Sequence, residues 1–234
     1  MRITGAGRDR DILGLVNGPS QTHPGLPHPE HASLERCERV TDLAWRLTQI
    51  PQDATCRGAF FNMLDDRAGA LSPGTQAEYR TFFRIHRFPS FKMFPVSDYL
   101  TRLVVLSQIH YGADRIYEGV RLLQSGAFDA WAETLLGKAA LAVVDPSLAS
   151  LLRMLERAYA SRTVVSHARF RVLSESDAEI LTELSQEYVY IEHAMVGAIE
   201  GVARVCGAEV VVTSELRGPF DGLIRIRLER RESR

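Results

Sequence analysis

Three adjacent pairs in the sequence carry residue types suited to acid–base or nucleophilic chemistry: Asp65-Asp66, Ser97-Asp98 and Glu192-His193. A catalytic constellation needs more, either a nucleophile, base and orienting group or two carboxylates held in unlike environments. Ser97-Asp98 falls at a helix start, where a first-turn acid complements the helix dipole. Glu192-His193 sits on the polar side of an apolar stripe, and Asp65-Asp66 reads as a surface or capping pair. The chain contains no HExxH, GxSxG or CxxC signature, so no catalytic residue is assigned and the protein is not expected to be an enzyme.

Metal and nucleotide chemistry find equally little. Cys37, Cys56 and Cys206 are far apart, which fits reduced thiols in a cytoplasmic protein; Cys206 continues a helical stripe as a small core residue. His23, His28 and His31 lack carboxylate or thiolate partners at usable spacing, so no metal is expected. Neither GxGxxG nor GxxxxGK[ST] occurs. The formal net charge is -1, and all but two of the 28 basic residues are Arg scattered among acids. Nucleic acid is therefore not an expected partner. No stretch approaches the ~20 apolar residues of a spanning helix, and the Arg-bearing start lacks the apolar core of a secretory signal.

The elements that would position any site follow from pattern and punctuation. Residues 1–31, dense in Gly and Pro, read as a flexible arm, residues 32–229 as a single α+β domain, and residues 230–234 as a charged tail. Ser33 begins a helix, with Leu34, Val40, Leu43, Ala44 and Leu47 as its stripe, ending near Pro51. Further helices are expected over Arg57–Asp66 and from Ser72-Pro73 to Ile85. The Phe88, Phe91, Phe94 loop, bounded by Pro89 and Pro95, is expected to pin to the core. Helices then follow from Pro95 through His110, over Ala113–Leu123 and Ala127–Val144, and from Pro146 to Tyr159.

After that the period becomes two. Thr163–Leu173 and Ala178–Gln186 read as strands joined by Ser174–Asp177, with Phe170 opposite Ile180, Arg171 beside Glu179 and His167 beside Glu183. A helix over Tyr190–Cys206 carries Ile191, Ala194, Met195, Ala198, Ile199, Val202 and Cys206 on one face. Gly197 and Gly201 allow close backbone approach, and Gly207 suits the residue after the helix. Strands over Ala208–Leu216 and Leu223–Leu228 close the chain. The fold class is thus α+β: a helical half, then β-hairpin–helix–β-hairpin, with an antiparallel sheet packed against helices.

Arg57-Gly58-Ala59-Phe60-Phe61-Asn62, Phe94-Pro95-Val96-Ser97-Asp98-Tyr99-Leu100 and Gly197-Ala198-Ile199-Glu200-Gly201-Val202 before Cys206-Gly207-Ala208 resemble a large paralogous family of myxobacterial proteins of unknown function, over about residues 54–229. The element order of the last third is also similar to a fold shared by heme-nitric-oxide sensor domains, vinyl-reductase-type sensing domains and TRAPP vesicle-tethering subunits. That similarity implies an apolar ligand held between helices and sheet, or a dimeric assembly surface. Heme sensors of this fold carry Tyr-x-Ser-x-Arg where the second strand meets the helix. Here the matching positions are Glu183, Ser185 and Glu187, so an acid stands where a cation would meet the propionates. His110 is the candidate axial ligand, but without the clamp no cofactor is expected.

The expected function is a non-catalytic ligand-sensing or regulatory module in intracellular signalling. Its partner would be an apolar small molecule, held in a pocket formed by Tyr99, Leu103, His110, Tyr117 and Trp131. The alternative is a homodimeric or protein–protein assembly module with Gly197 and Gly201 at the interface.

Overall fold

The computed structural model describes residues 41–143 and 145–229. The 1–31 arm with its three histidines, the Ser33 helix start, Cys37 and the 230–234 tail lie outside the described residues. The chain opens with α1 (Leu43–Gln49), β1 (Thr55–Arg57), α2 (Gly58–Gly69), α3 (Pro73–Phe82), β2 (Met93–Pro95) and α4 (Val96–Tyr111). A 3-10 turn over Ala113–Arg115 leads into α5 (Ile116–Gln124), α6 (Ala127–Ala132), α7 (Leu135–Leu141) and α8 (Leu148–Ala160). The last third is β3 (Arg169–Glu175), β4 (Glu179–Ser185), a π-helical turn (Ile191–Met195), α9 (Val196–Val205), β5 (Val210–Leu216) and β6 (Gly222–Leu228).

Both hairpins form, and they join through β4 and β6 into one four-stranded antiparallel sheet of order β3-β4-β6-β5. Phe170, Val172, Ile180, Thr182, Leu184, Ile224 and Ile226 make its buried face, and α8 and α9 pack against the sheet. The alternation of residue types settles which side chains point inward, but not the register. Phe170 pairs with Leu184 and Arg171 with Glu183, four residues from the expected partners. The cause is local: Ser176 closes a tight turn by accepting from Glu179 N–H through its Oγ, so β3 runs on to Glu175, and a bulge at Leu173 absorbs the odd residue. An even shift keeps every side chain on its own face, so the hydrophobic pattern alone cannot detect it.

Other boundaries are corrected by side-chain chemistry. The expected Ala127–Val144 helix divides because Thr134 Oγ1 accepts from Gly137 N–H and caps a new helix, α7. β3 begins later than expected because residues 164–166 pair with β1 instead, through the Cys56–Val165 bridge and the Ser166 N–H to Thr55 carbonyl bond. The small β1–β2 ladder itself carries too few residues to show a period. The phenylalanine loop is held as expected at Phe88, whose backbone exchanges two hydrogen bonds with the Asn62 side chain (2.8 and 3.0 Å), while Phe91 remains exposed.

Asp65 is not a surface residue. It is buried with Arg102, accepting from the guanidinium at 2.8 Å and from Tyr79 O–H at 2.9 Å. That cluster fastens α2, α3 and α4 together.

Gly197 and Gly201 do permit close approach, but within the chain. A Cβ at Gly197 would lie 2.1 Å from the Arg121 carbonyl oxygen, and one at Gly201 2.1 Å from that of Ser125. The surface assigned to a partner is buried against α5 and the turn after it. Because backbone rather than a flexible side chain opposes the new carbon, Gly201→Ala is expected to lose about 1–3 kcal/mol of stability in urea unfolding, despite alanine's ~1 kcal/mol better helix propensity. Gly69→Ala in α2, with nothing within 4 Å of the new carbon, is expected to gain stability.

Candidate ligand cavity

A cavity of about 60 Å³ lies under the helical half. Its walls are Cys56 from β1, Phe60 from α2, Tyr99 from α4, Gln124 from α5, Trp131 from α6 and Tyr159 from α8, completed by residues 164–165 and by Glu187, Val189, Met195, Ala198 and Val202. Of the five residues expected in a pocket, Tyr99 and Trp131 line this one, and Leu103, His110 and Tyr117 do not. Leu103 is core and fully buried. His110 is exposed on the last turn of α4, against Tyr111. Tyr117 stacks on His193 on the far side of the π-helical turn.

The lining is apolar with a few convergent polar atoms. Tyr99 O–H donates to Gln124 Oε1 at 2.6 Å, and Tyr159 O–H donates to Glu187 Oε2 at 3.3 Å. Val189 N–H donates to Glu187 Oε1, also at 3.3 Å. Glu187 is 2% exposed, and among the described residues no cation pairs with it. Burial pushes its carboxyl up to about 7, against the two hydrogen bonds, which favour the anion. Burial also pushes the Cys56 thiol and the Tyr99 and Tyr159 phenols well up, and the Glu187 charge adds to each. All three therefore stay protonated at neutral pH. Trp131 is buried, and its indole Nε1–H has no hydrogen-bond partner.

The backbone shows how Glu187 is placed. Gln186 adopts φ +55, a left-handed conformation that a residue other than glycine takes at a cost. Asp221 Oδ1 holds it there by accepting from Gln186 N–H, and the Phe220 carbonyl accepts from Glu187 N–H. The chain thus turns inward as it leaves β4, and the π-helical turn follows at once; such turns recur at functional sites. In sequence, Glu187 is noticeable as a lone acid opening the run Tyr188-Val189-Tyr190-Ile191 and as the position where the heme clamp reverses sign. Gln124, Cys56 and Tyr159 carry no comparable signal.

A larger depression of about 350 Å³ lies between α2 and α6, bordered by Asp66, Arg67, Arg87 and Asp129. Arg87 pairs with Asp66 and Arg204 with Asp129 across exposed surface, which describes a solvated groove. Among the described residues no cluster of three or more His, Cys, Asp or Glu suits a metal. No helix there is long and apolar enough to cross a membrane.

A helical half packed on an antiparallel sheet is an arrangement this chain shares with solved H-NOX proteins, a likeness of fold. The chain resembles an H-NOX protein from S. oneidensis solved in the Fe(II)NO ligation state, at 14% identity and TM-score 0.58, covering 74% of this chain and 99% of that one. It resembles the unliganded Fe(II) H-NOX protein from K. algicida at 12% identity and TM-score 0.55, covering 76% and 98%. A mutant of the T. tengcongensis H-NOX protein aligns at 16% identity and TM-score 0.57, covering 74% and 98%. No curated protein matches the sequence. The chain belongs to the family described as Protein of unknown function (DUF2378), whose profile matches residues 49–226.

The heme that such a fold implies does not fit these residues. Among the described residues no histidine lines the cavity, and its thiol and phenols are held protonated, the wrong form for an axial anion. The space is also several-fold below the ~300–1,000 Å³ of a cofactor-sized pocket. A carboxyl stands in the wall, where porphyrin carboxylates would be repelled.

Proposed function

We propose that the protein is a non-catalytic ligand-sensing module whose sensor is the cavity around Glu187. The carrying observation is the pair of buried polar groups left incomplete there: a carboxyl with no cation among the described residues and an indole N–H with no acceptor. A buried donor without an acceptor forfeits about 1–3 kcal/mol, and a buried charge without a counter-charge forfeits more. A ligand that completes them is bound with that much advantage. The fold shared with H-NOX proteins supports the same reading. A carboxyl near 7 also suits proton transfer, but the cavity's thiol is held as the poor nucleophile form, which favours binding over turnover.

A route for the signal is built in. Glu187 N–H is bonded to the Phe220 carbonyl, and the Phe220 ring stacks on Trp45 of α1 at 5.6 Å, with Trp45 46% exposed. A shift of the 186–190 segment on binding would reach that surface. The assembly reading is weaker, since Gly197 and Gly201 are spent inside the chain.

Protein purified without denaturation is expected to release a low-mass compound into organic solvent, detected by mass spectrometry. Ala198→Leu, which extends a cavity-lining side chain, is expected to lose that compound while remaining folded. Identical extracts from the two proteins, with no compound specific to the wild type, would overturn the proposal.

A further inference from the structure

Five of the cavity-lining side chains are aromatic: Phe60, Tyr99, Phe128, Trp131 and Tyr159. The charge-bearing group among them is the Glu187 carboxyl, which receives only two long hydrogen bonds, both 3.3 Å, from Tyr159 and Val189. Aromatic faces attract cations through their quadrupoles, the more strongly where water is excluded. A buried carboxylate without a counter-charge gains most from a ligand that brings one. From this juxtaposition we infer that the cavity is a binding site for a small organic ammonium, an amine of a few carbon atoms held between the Glu187 carboxylate and the surrounding rings. This rests on the ligand-sensing reading and goes further by fixing the ligand's charge.

Size narrows the class. At roughly 10–15 Å³ for each water-sized occupant, a cavity of about 60 Å³ admits on the order of four to six non-hydrogen atoms. Trp131 Nε1–H, buried and without a partner, adds a place for one acceptor atom on the ligand. Sign and size together point away from anions, nucleotides and macrocycles and towards short alkyl or hydroxyalkyl amines.

The pH dependence follows from the groups that face Glu187. Cys56 on β1, Tyr99 on α4, Tyr159 on α8 and the adjacent Tyr188 are the titratable neighbours, and burial raises each of them, so all stay neutral through pH 8. Asp98, which acts on Cys56, adds a negative charge nearby. Glu187 itself is therefore the group that changes charge near neutrality, and an ammonium binds its ionised form.

The test uses the whole chain, with n-butylammonium and its neutral isostere butan-1-ol as probes in calorimetric titrations at pH 6 and pH 8. At pH 8 butylammonium is expected to bind at least tenfold more tightly than butanol, and to weaken about tenfold at pH 6 as Glu187 takes up its proton. Butanol is expected to change little between the two. Glu187→Gln is expected to abolish the preference for the amine. The wild-type comparison and its pH dependence stand even if that variant folds poorly. Butanol binding as well as the amine at both pH values would overturn the ammonium assignment and leave a ligand cavity in place. If neither probe binds and Trp131 emission is unmoved by both, the assignment and the ligand-sensing reading fall together.

Discussion

Asp65→Ala is expected to cost about 3–5 kcal/mol in equilibrium unfolding, among the largest losses available to a single substitution in this chain. Asp65 and Arg102 have side chains 4% and 9% exposed and meet at 2.8 Å. Removing the carboxylate leaves Arg102 charged, desolvated and facing Phe83 at 4.7 Å and Phe88 at 5.3 Å. Those rings offer partial compensation through cation–π attraction, but not the lost ionic hydrogen bond. Tyr79, fully buried, loses its acceptor at the same time. The double variant Asp65→Leu with Arg102→Met removes both charges and keeps apolar volume. It is expected to recover most of the loss, because the penalty lies in the orphaned partner rather than in the absence of attraction. Urea unfolding of Asp65→Leu, of Arg102→Met and of the double variant decides it: additive losses would mean that the pair is not coupled.

This cluster also shows what the sequence conceals. Two adjacent aspartates look alike on paper, yet Asp65 is buried and Asp66 pairs with Arg87 in solvent. Nothing in their spacing says which one faces Arg102, 37 residues away. Periodicity is a local signal and reports faces well: the stripe from Ile191 to Cys206 is buried as its spacing implies, apart from half-buried Ala198 and Cys206. Gly207 takes φ +66 after α9 as a helix-ending glycine should. Quantities set by long-range fit were not legible. The two close-packed glycines met α5, whereas the β3–β4 register turned on a local turn and bulge that hydrophobic alternation does not detect. The cavity is a case like the glycines. Tyr99 and Trp131 are large aromatics on helices and so natural candidates, but Gln124 and Cys56 reach the same space only because α5 and β1 converge there. Glu187 needed a left-handed residue before it to turn inward.

Stability should fall as pH rises from about 4.5 to 7, by about 3 kcal/mol, through Glu187 alone. Its carboxyl moves from an ordinary 4.5 to about 7 on folding because it is buried, and each pH unit of such a difference is worth ~1.4 kcal/mol. In that window the unfolded chain has released this proton and the native state still holds it, so the slope of stability with pH is negative. The contribution is fully present below 4.5 and gone once the native carboxyl ionises. His193 acts in the opposite direction: burial lowers its value from 6.5, so its neutral form is favoured on folding and its contribution is lost on acidification. The wild-type curve is therefore a sum of opposed slopes, and the informative quantity is the difference from Glu187→Gln. That variant keeps the side chain's shape, lets an amide oxygen accept from Val189 N–H, and cannot ionise. The stability of wild type minus variant, measured by urea unfolding from pH 4.5 to 7.5, is expected to decline by about 3 kcal/mol. A flat difference would mean that the carboxyl is already paired with a cation or solvated, and the cavity would lose the group that gives it a sign. Saturating n-butylammonium should offset the decline at the alkaline end, because a bound cation supplies the counter-charge that burial withholds.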